Sequence, residues 1–167
     1  KCVFWEHLLK LTHFLDLISK FSSICQAPRI SRMSGSRHIA RRGAAQALYQ
    51  WLVTGQPPGE IEPSFISDDE MLGFDVDYFR HLITNIPAYQ ESIEEKLAEI
   101  LDRPLAKLDP VERAILLIGA YEVLFRPDVP NKVAIHEAIE VAHTFGAEES
   151  YRYVNGVLDR LSVKQTA

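Results

Sequence analysis

After Met33 the apolar residues return every three or four positions and nowhere sustain a two-residue alternation, a spacing that predicts helices throughout. In residues 37–55, Ala40, Ala44, Ala47, Leu48, Trp51 and Leu52 form one stripe, with Ser36 placed to cap the start and Gly55 to close the end. Pro57, Pro58, Gly59 and Pro63 predict a loop, followed by a short helix over 65–72. Tyr78, Phe79, Leu82, Ile83 and Ile86 define the next apolar face, and Pro87 stands where it would open a further helix carrying Ile93, Leu97, Ile100 and Leu101.

The strongest start signal is Asp109-Pro110-Val111-Glu112: Asp109 as cap, Pro110 at the first helical position, Glu112 at the reciprocal capping-box position. The segment that follows, to residue 125, is apolar around most of its circumference and predicts a central, buried helix. Pro127 and Pro130 set a turn, and residues 131–145 form the next helix, with Gly146 as a left-handed terminator. The last helix turns Tyr151, Val154, Leu158 and Leu161 inward and carries Glu148 and Glu149 in its first turn, where the helix dipole favours acids. The expectation is an all-α bundle of about seven helices, two of them short.

Residues 1–32 read differently. Leu8, Leu11, Leu15 and Ile18 recur at helical spacing, so one amphipathic helix is conceivable, but Glu6, His7, Lys10 and Asp16 interrupt the run and a secretory signal fits poorly. Met33 followed by Ser34-Gly35-Ser36 reads as the native start, leaving 1–32 as a leader or added arm and 33–167 as the domain. Cys2 and Cys25, the two cysteines of the chain, both fall in that leader, so a disulfide framework is excluded for the domain and a reducing, cytoplasmic setting is expected. No stretch approaches the ~18 uninterrupted apolar residues of a membrane span.

Charge alters the picture because it is uneven. The chain carries −5 overall, yet residues 29–42 hold Arg29, Arg32, Arg37, Arg41, Arg42 and His38 with no acid, whereas from Gly43 onward 21 acids face 10 bases. A basic arm ahead of an acidic body points to a polyanion partner met at one place. Catalytic signals are weak by comparison. His136, Glu140 and His143 share a helical face, but the pattern H-E-x-x-H fails at Glu140 and the face reads as solvated. Asp68-Asp69-Glu70 reads as a loop or helix-start cluster, and no phosphate-cradling loop or nucleophile elbow is present. No enzyme, metal or cofactor is expected.

Four blocks then carry a family resemblance: ARRGAAQALYQW (40–51), DVDYFRHLI (75–83), LDPVERAILLIGAYE (108–122) and VPNKVAIHEAIEVAHTFGAEESYRYVNGVLD (129–159). Together they resemble the NusB family of transcription antitermination factors over about three-quarters of the chain. The resemblance implies two packed helical subdomains and a non-enzymatic role. That role is recognition of single-stranded boxA RNA from ribosomal-RNA operons with the small-subunit ribosomal protein NusE, joining other Nus factors and RNA polymerase, as monomer or homodimer.

By position it places Arg37, His38, Arg41 and Arg42 in the arginine-rich start, with Gln46 and Tyr49 further along the same helix. Lys132, Phe145, Glu149 and Tyr153 complete the expected RNA surface, and Glu112, with Arg113 more weakly, faces the ribosomal protein. Arginine and tyrosine suit the task, since guanidinium groups neutralise phosphate and aromatic rings stack on unpaired bases. Loss of Arg37 and Arg41 together should flatten the salt dependence by roughly two units, one per phosphate contact. Two alternatives remain open on the sequence: a detached recognition domain of an RNA cytosine methyltransferase, and a helical adaptor that binds protein and no RNA.

Overall fold

The structure is a computed structural model and describes residues 36–66 and 73–166, within the compact unit Arg32–Ala167. The amphipathic pattern of residues 8–18, both cysteines and the acid run 68–70 lie outside the described residues. Among the described residues seven α-helices follow in order: α1 (Arg37–Thr54), α2 (Pro58–Ile66), α3 (Val76–Ala88), α4 (Gln90–Ala98), α5 (Pro110–Phe125), α6 (Asn131–Phe145) and α7 (Ser150–Thr166), with a 3-10 turn at Leu105–Lys107. Among the described residues there is no strand. An isolated bridge ties Ser36 to Phe74, with Ser36 N–H donating to the Gly73 carbonyl at 2.8 Å.

Helix α5 is the axis of the bundle, with every residue from Ala114 to Val123 buried. It packs on α1 along one side and on α6 and α7 along the other, while α2 and α3 complete a group around α1 and α4 leans on α5. This is the all-α arrangement of two packed groups, α1–α3 and α5–α7, meeting along the α1–α5 contact. Ala40, Ala44, Ala45 and Ala47 keep α1 slim enough to approach closely. Gly119 does the same on the far side of α5, since a Cβ there would stand 2.5 Å from Leu158 Cδ1 and 3.3 Å from Ala138 Cβ. Phe79, Leu48, Leu82, Ile115 and Leu158 are fully buried, and each such side chain stabilises the fold by roughly 1.5–3 kcal/mol.

Local caps hold several helix ends. Ser36 Oγ accepts from Ile39 N–H, Asp75 caps α3 through Tyr78 N–H at 3.0 Å, and Asp109 caps α5 through Val111 N–H at 2.8 Å. Gly55 closes α1 with φ +74°, a left-handed conformation that glycine adopts without cost.

Four expectations are corrected, and a fifth lies mostly outside the described residues. Residues 58–66 are helical and not a loop: Pro58 takes the first position, where a missing N–H costs nothing, and Glu60 N–H bonds the Pro57 carbonyl at 2.9 Å. Of the predicted helix over 65–72, only Phe65 and Ile66 are described, as the end of α2. Pro87 lies in the last turn of α3, and the break comes at Tyr89, whose φ −101° and ψ 10° leave the helical region. Gly146 is extended, φ −76° and ψ 168°; it is glycine because a Cβ would meet Ser150 Cβ at 2.6 Å and the Ala142 carbonyl at 2.7 Å. Glu112 forms no reciprocal cap and instead accepts a hydrogen bond from Ser150 Oγ at 2.6 Å, tying α5 to the start of α7.

Candidate nucleic-acid interface

The arginine-rich start of α1 splits into residues with different surroundings. Arg41 points inward and is 3% exposed. Its Nε donates to both Glu122 oxygens at 2.8 and 3.1 Å, its Nη2 donates to Tyr78 Oη at 3.2 Å, and its Nη1 lies 3.5 Å from Glu137. Tyr78 Oη donates in turn to Glu122. Burial pushes the Glu122 carboxyl above the usual range, opposed by Arg41 and Tyr78, and pushes the Tyr78 hydroxyl well up. Burial also works against the Arg41 charge, but Glu122 and its other partners more than offset it, so Arg41 stays above its ordinary value. Arg41 is therefore a core residue and takes no place on an accessible RNA surface, a correction to the sequence expectation. The run of basic residues concealed that its side chain falls on the alanine stripe facing α5.

Arg37 is half-exposed, 3.8 Å from Asp75 and 3.6 Å from Asp128, with its guanidinium 4.6 Å from the Tyr78 ring centroid. Asp128 is also gripped by Arg126 through two bonds of 2.7 and 2.8 Å, which hold its carboxyl down at about 2. His38 Nδ1 bonds Glu137 at 2.8 Å. Arg42 differs: it faces no carboxylate among the described residues and lies over the Phe145 ring, 5.6 Å from the centroid.

Gln46 and Tyr49 follow Arg42 at i+4 and i+7, hence along one face of α1, and both are half-buried. The Tyr49 hydroxyl is pushed up by burial and by Asp109 at the start of α5, which places this row beside that helix end. Phe145 ends α6 beside the corner 146–149, where Glu149 is exposed and paired with Arg152 at 2.6 Å. Tyr153, one turn into α7, donates through Oη to Asp102 at 3.0 Å. Glu112 and Arg113 open α5 below that corner; Arg113 bonds Glu94 at 2.8 Å and is mostly buried.

The structure thus brings Arg42, Gln46, Tyr49, Phe145, Glu149 and Tyr153 around the ends of α5 and α6. It leaves Lys132 apart, exposed in the first turn of α6, thirteen residues and about 20 Å of helix from Phe145.

Sequence reasoning missed Asp102 and Arg103, because the α4–α5 connection carries no periodicity to orient them. It also missed Glu122, although a lone acid inside the apolar run of α5 was a usable signal: a buried carboxylate needs a partner. Among the described residues no three His, Cys, Asp or Glu side chains gather as for a metal. His136 and Glu140 are exposed, and His143 stacks on Tyr151 with centroids 4.2 Å apart. No helix of the described residues is long and apolar enough to cross a membrane. What the arrangement offers chemically is cation, ring and amide at one end of a bundle: a binding surface.

The profile of the NusB family matches residues 38–163. The chain is 50% identical over 126 residues to the transcription antitermination protein NusB of Actinobacillus succinogenes, covering 75% of this chain and 89% of that protein. It is 47% identical over 135 residues to the protein of the same name from Nitrosococcus oceani, covering 81% and 90%. Among solved structures, NusB of T. maritima superposes with a TM-score of 0.70 at 30% identity, covering 79% of this chain and 94% of that one. A chain from a complex of the antitermination factors NusB and NusE with double-stranded RNA shares the fold, with a TM-score of 0.66 at 24% identity over 77% of this chain and 96% of that one. On the extent of the profile match and on these identities, the chain belongs to the NusB family of transcription antitermination proteins.

Proposed function

We propose that this protein acts in the cytoplasm as an antitermination factor that recognises boxA RNA of ribosomal-RNA operons jointly with the ribosomal protein NusE. With other Nus factors it then restrains premature termination by RNA polymerase. The role is non-enzymatic. Membership of the family supports the reading, as does the occurrence of NusB with NusE and RNA in a complex of the same fold. The observation that carries the RNA part is Arg42, without an acidic partner among the described residues and seated over Phe145, with Gln46 and Tyr49 following on the same face of α1. A guanidinium beside an aromatic ring suits a phosphate and an unstacked base, and a side-chain amide suits a base edge.

Arg37, His38, Lys132, Glu149 and Tyr153 belong to the proposal as outlying contacts, and Glu112 with Arg113 as the side turned to NusE. A titration of boxA RNA with and without the ribosomal protein tests the reading. Binding several-fold tighter in the presence of the partner is expected; equal affinities would remove the joint recognition.

A further inference from the structure

We propose that Arg103, stacked on Tyr153 and oriented by Asp102, contacts the backbone of single-stranded RNA through its Nη1 edge. The inference rests on the RNA-binding reading above and carries that surface across to the α4–α5 connection. The geometry repeats what is found at Arg42. The Arg103 guanidinium carbon lies 5.5 Å from the Tyr153 ring centroid, against 5.6 Å for Arg42 over Phe145. One pair is reached from α1 and the other from the α4–α5 connection, and the two aromatic residues flank the corner between α6 and α7.

Asp102 fixes both partners of the second pair. Its Oδ1 accepts from Tyr153 Oη at 3.0 Å and from Arg103 Nε at 3.2 Å, and its Oδ2 accepts from Arg103 Nη2 at 3.0 Å. The fork bonds of Arg103, together with the bond from Tyr153, hold the Asp102 carboxyl below the ordinary range, so it is charged at neutral pH. A guanidinium carries five N–H donors around a plane, and a carboxylate on the Nε–Nη2 edge leaves the Nη1 donors pointing elsewhere. Among the described residues they meet no acceptor. Both side chains are more than half exposed, at 55% and 57%. An ion pair of that kind contributes little to folding, so stability gives a weak reason for it. A phosphate oxygen can approach Nη1 while Asp102 keeps its hold on the opposite edge and on the tyrosine.

The test is fluorescence anisotropy of a short single-stranded boxA RNA with the full chain and the ribosomal protein, titrated across salt concentrations for wild type, Arg103→Ala, Asp102→Asn and Arg42→Ala. Removing one phosphate contact should weaken binding about three- to tenfold and lower the slope of log K against log salt by about 0.7. Asp102→Asn keeps an acceptor for Tyr153 but sets an N–H donor against Arg103 and breaks the fork that orients it, so it should weaken binding by less than Arg103→Ala does. Arg103→Gln, read by the same slope, serves if the alanine variant fails to fold. Wild-type affinity and slope for both Arg103→Ala and Asp102→Asn, with Arg42→Ala weakened, would overturn the proposal and leave the RNA reading standing. Failure of the wild type to bind would overturn both.

Discussion

Replacing Arg41 with methionine removes the guanidinium from a site where it is 4% exposed and its partner Glu122 0%. Glu122 would keep Tyr78 as donor but lose two short bonds from Nε, and Glu137 would lose the cation 3.5 Å away. A buried carboxylate stripped of its cation costs about 3–5 kcal/mol. At about 4 °C per kcal/mol for a domain of this size, the melting temperature should fall by about 12–20 °C. The double replacement Arg41→Met with Glu122→Leu leaves no orphaned charge, and swaps of that kind are often neutral or stabilising. It should recover to within about 1 kcal/mol of wild type. Urea unfolding followed by far-ultraviolet circular dichroism gives both numbers, provided the m-values agree. A loss under about 1 kcal/mol for the single variant would refute the reasoning. So would a double variant as unstable as the two single effects added, because the pair would then matter for packing and not for charge.

Gly146→Ala should destabilise the fold by about 1–3 kcal/mol, since its Cβ would collide with Ser150 and the Ala142 carbonyl; an unchanged thermal melt would show that the corner yields. Asp128 should make stability fall in acid. Its folded-state value lies at about 2, below the ordinary carboxylate value, so its contribution is present above roughly pH 4 and is lost as pH drops toward 2. The pair with Arg126 is half-exposed on the acid side, which limits the effect to about 1 kcal/mol or less; Asp128→Asn should flatten that part of the pH–stability curve, and an identical curve would count against it. Glu149→Gln removes an exposed acid and releases Arg152 from its pair, so boxA RNA should bind more tightly by filter binding. Weaker binding would mean that Glu149 accepts a bond from the RNA.

The helices were legible because burial imposes a period that the sequence must show: Tyr78, Phe79, Leu82, Ile83 and Ile86 could face one core only from a helix, and all five are buried. The continuous apolar run of α5 likewise announced its central place. What failed to show depends on geometry between elements. A proline reads as a breaker until its position is known, and Pro58 proved to be a first residue. Glu112 had the right spacing for a cap, yet Ser150 of α7 offered a better partner. Gly146 suggested a backbone requirement and turned out to answer a packing one. Arg41 shows the same limit at the candidate site, for local charge placed it with Arg37 and Arg42 while the rotation of α1 against α5 sent it inward. The pairing of Tyr153 with Asp102 and Arg103 spans 51 positions of sequence and leaves no local trace.

The division of the basic arm changes what its charge can do. Of its arginines on α1, Arg41 is committed to Glu122 and cannot turn outward without leaving a buried carboxylate behind. Arg37 is itself half-exposed and lies 3.8 Å from Asp75 and 3.6 Å from Asp128, distances that make only weak pairs, so a phosphate can compete for it. Arg42 has no acid to leave among the described residues. Two phosphate contacts, not three, follow from this stretch, and replacing Arg37 and Arg41 together should lower the salt slope by one contact, about 0.7, rather than by two. Two contacts at that slope weaken binding only about sevenfold between 50 and 200 mM salt. From Gly43 onward, 21 acids face 10 bases, which repels nucleic acid elsewhere. RNA affinity of the protein alone should therefore be modest and weakly dependent on salt, with a basic partner supplying the remaining phosphate contacts. A slope steeper than about 4 for the protein alone would place more cations on the RNA than this surface holds.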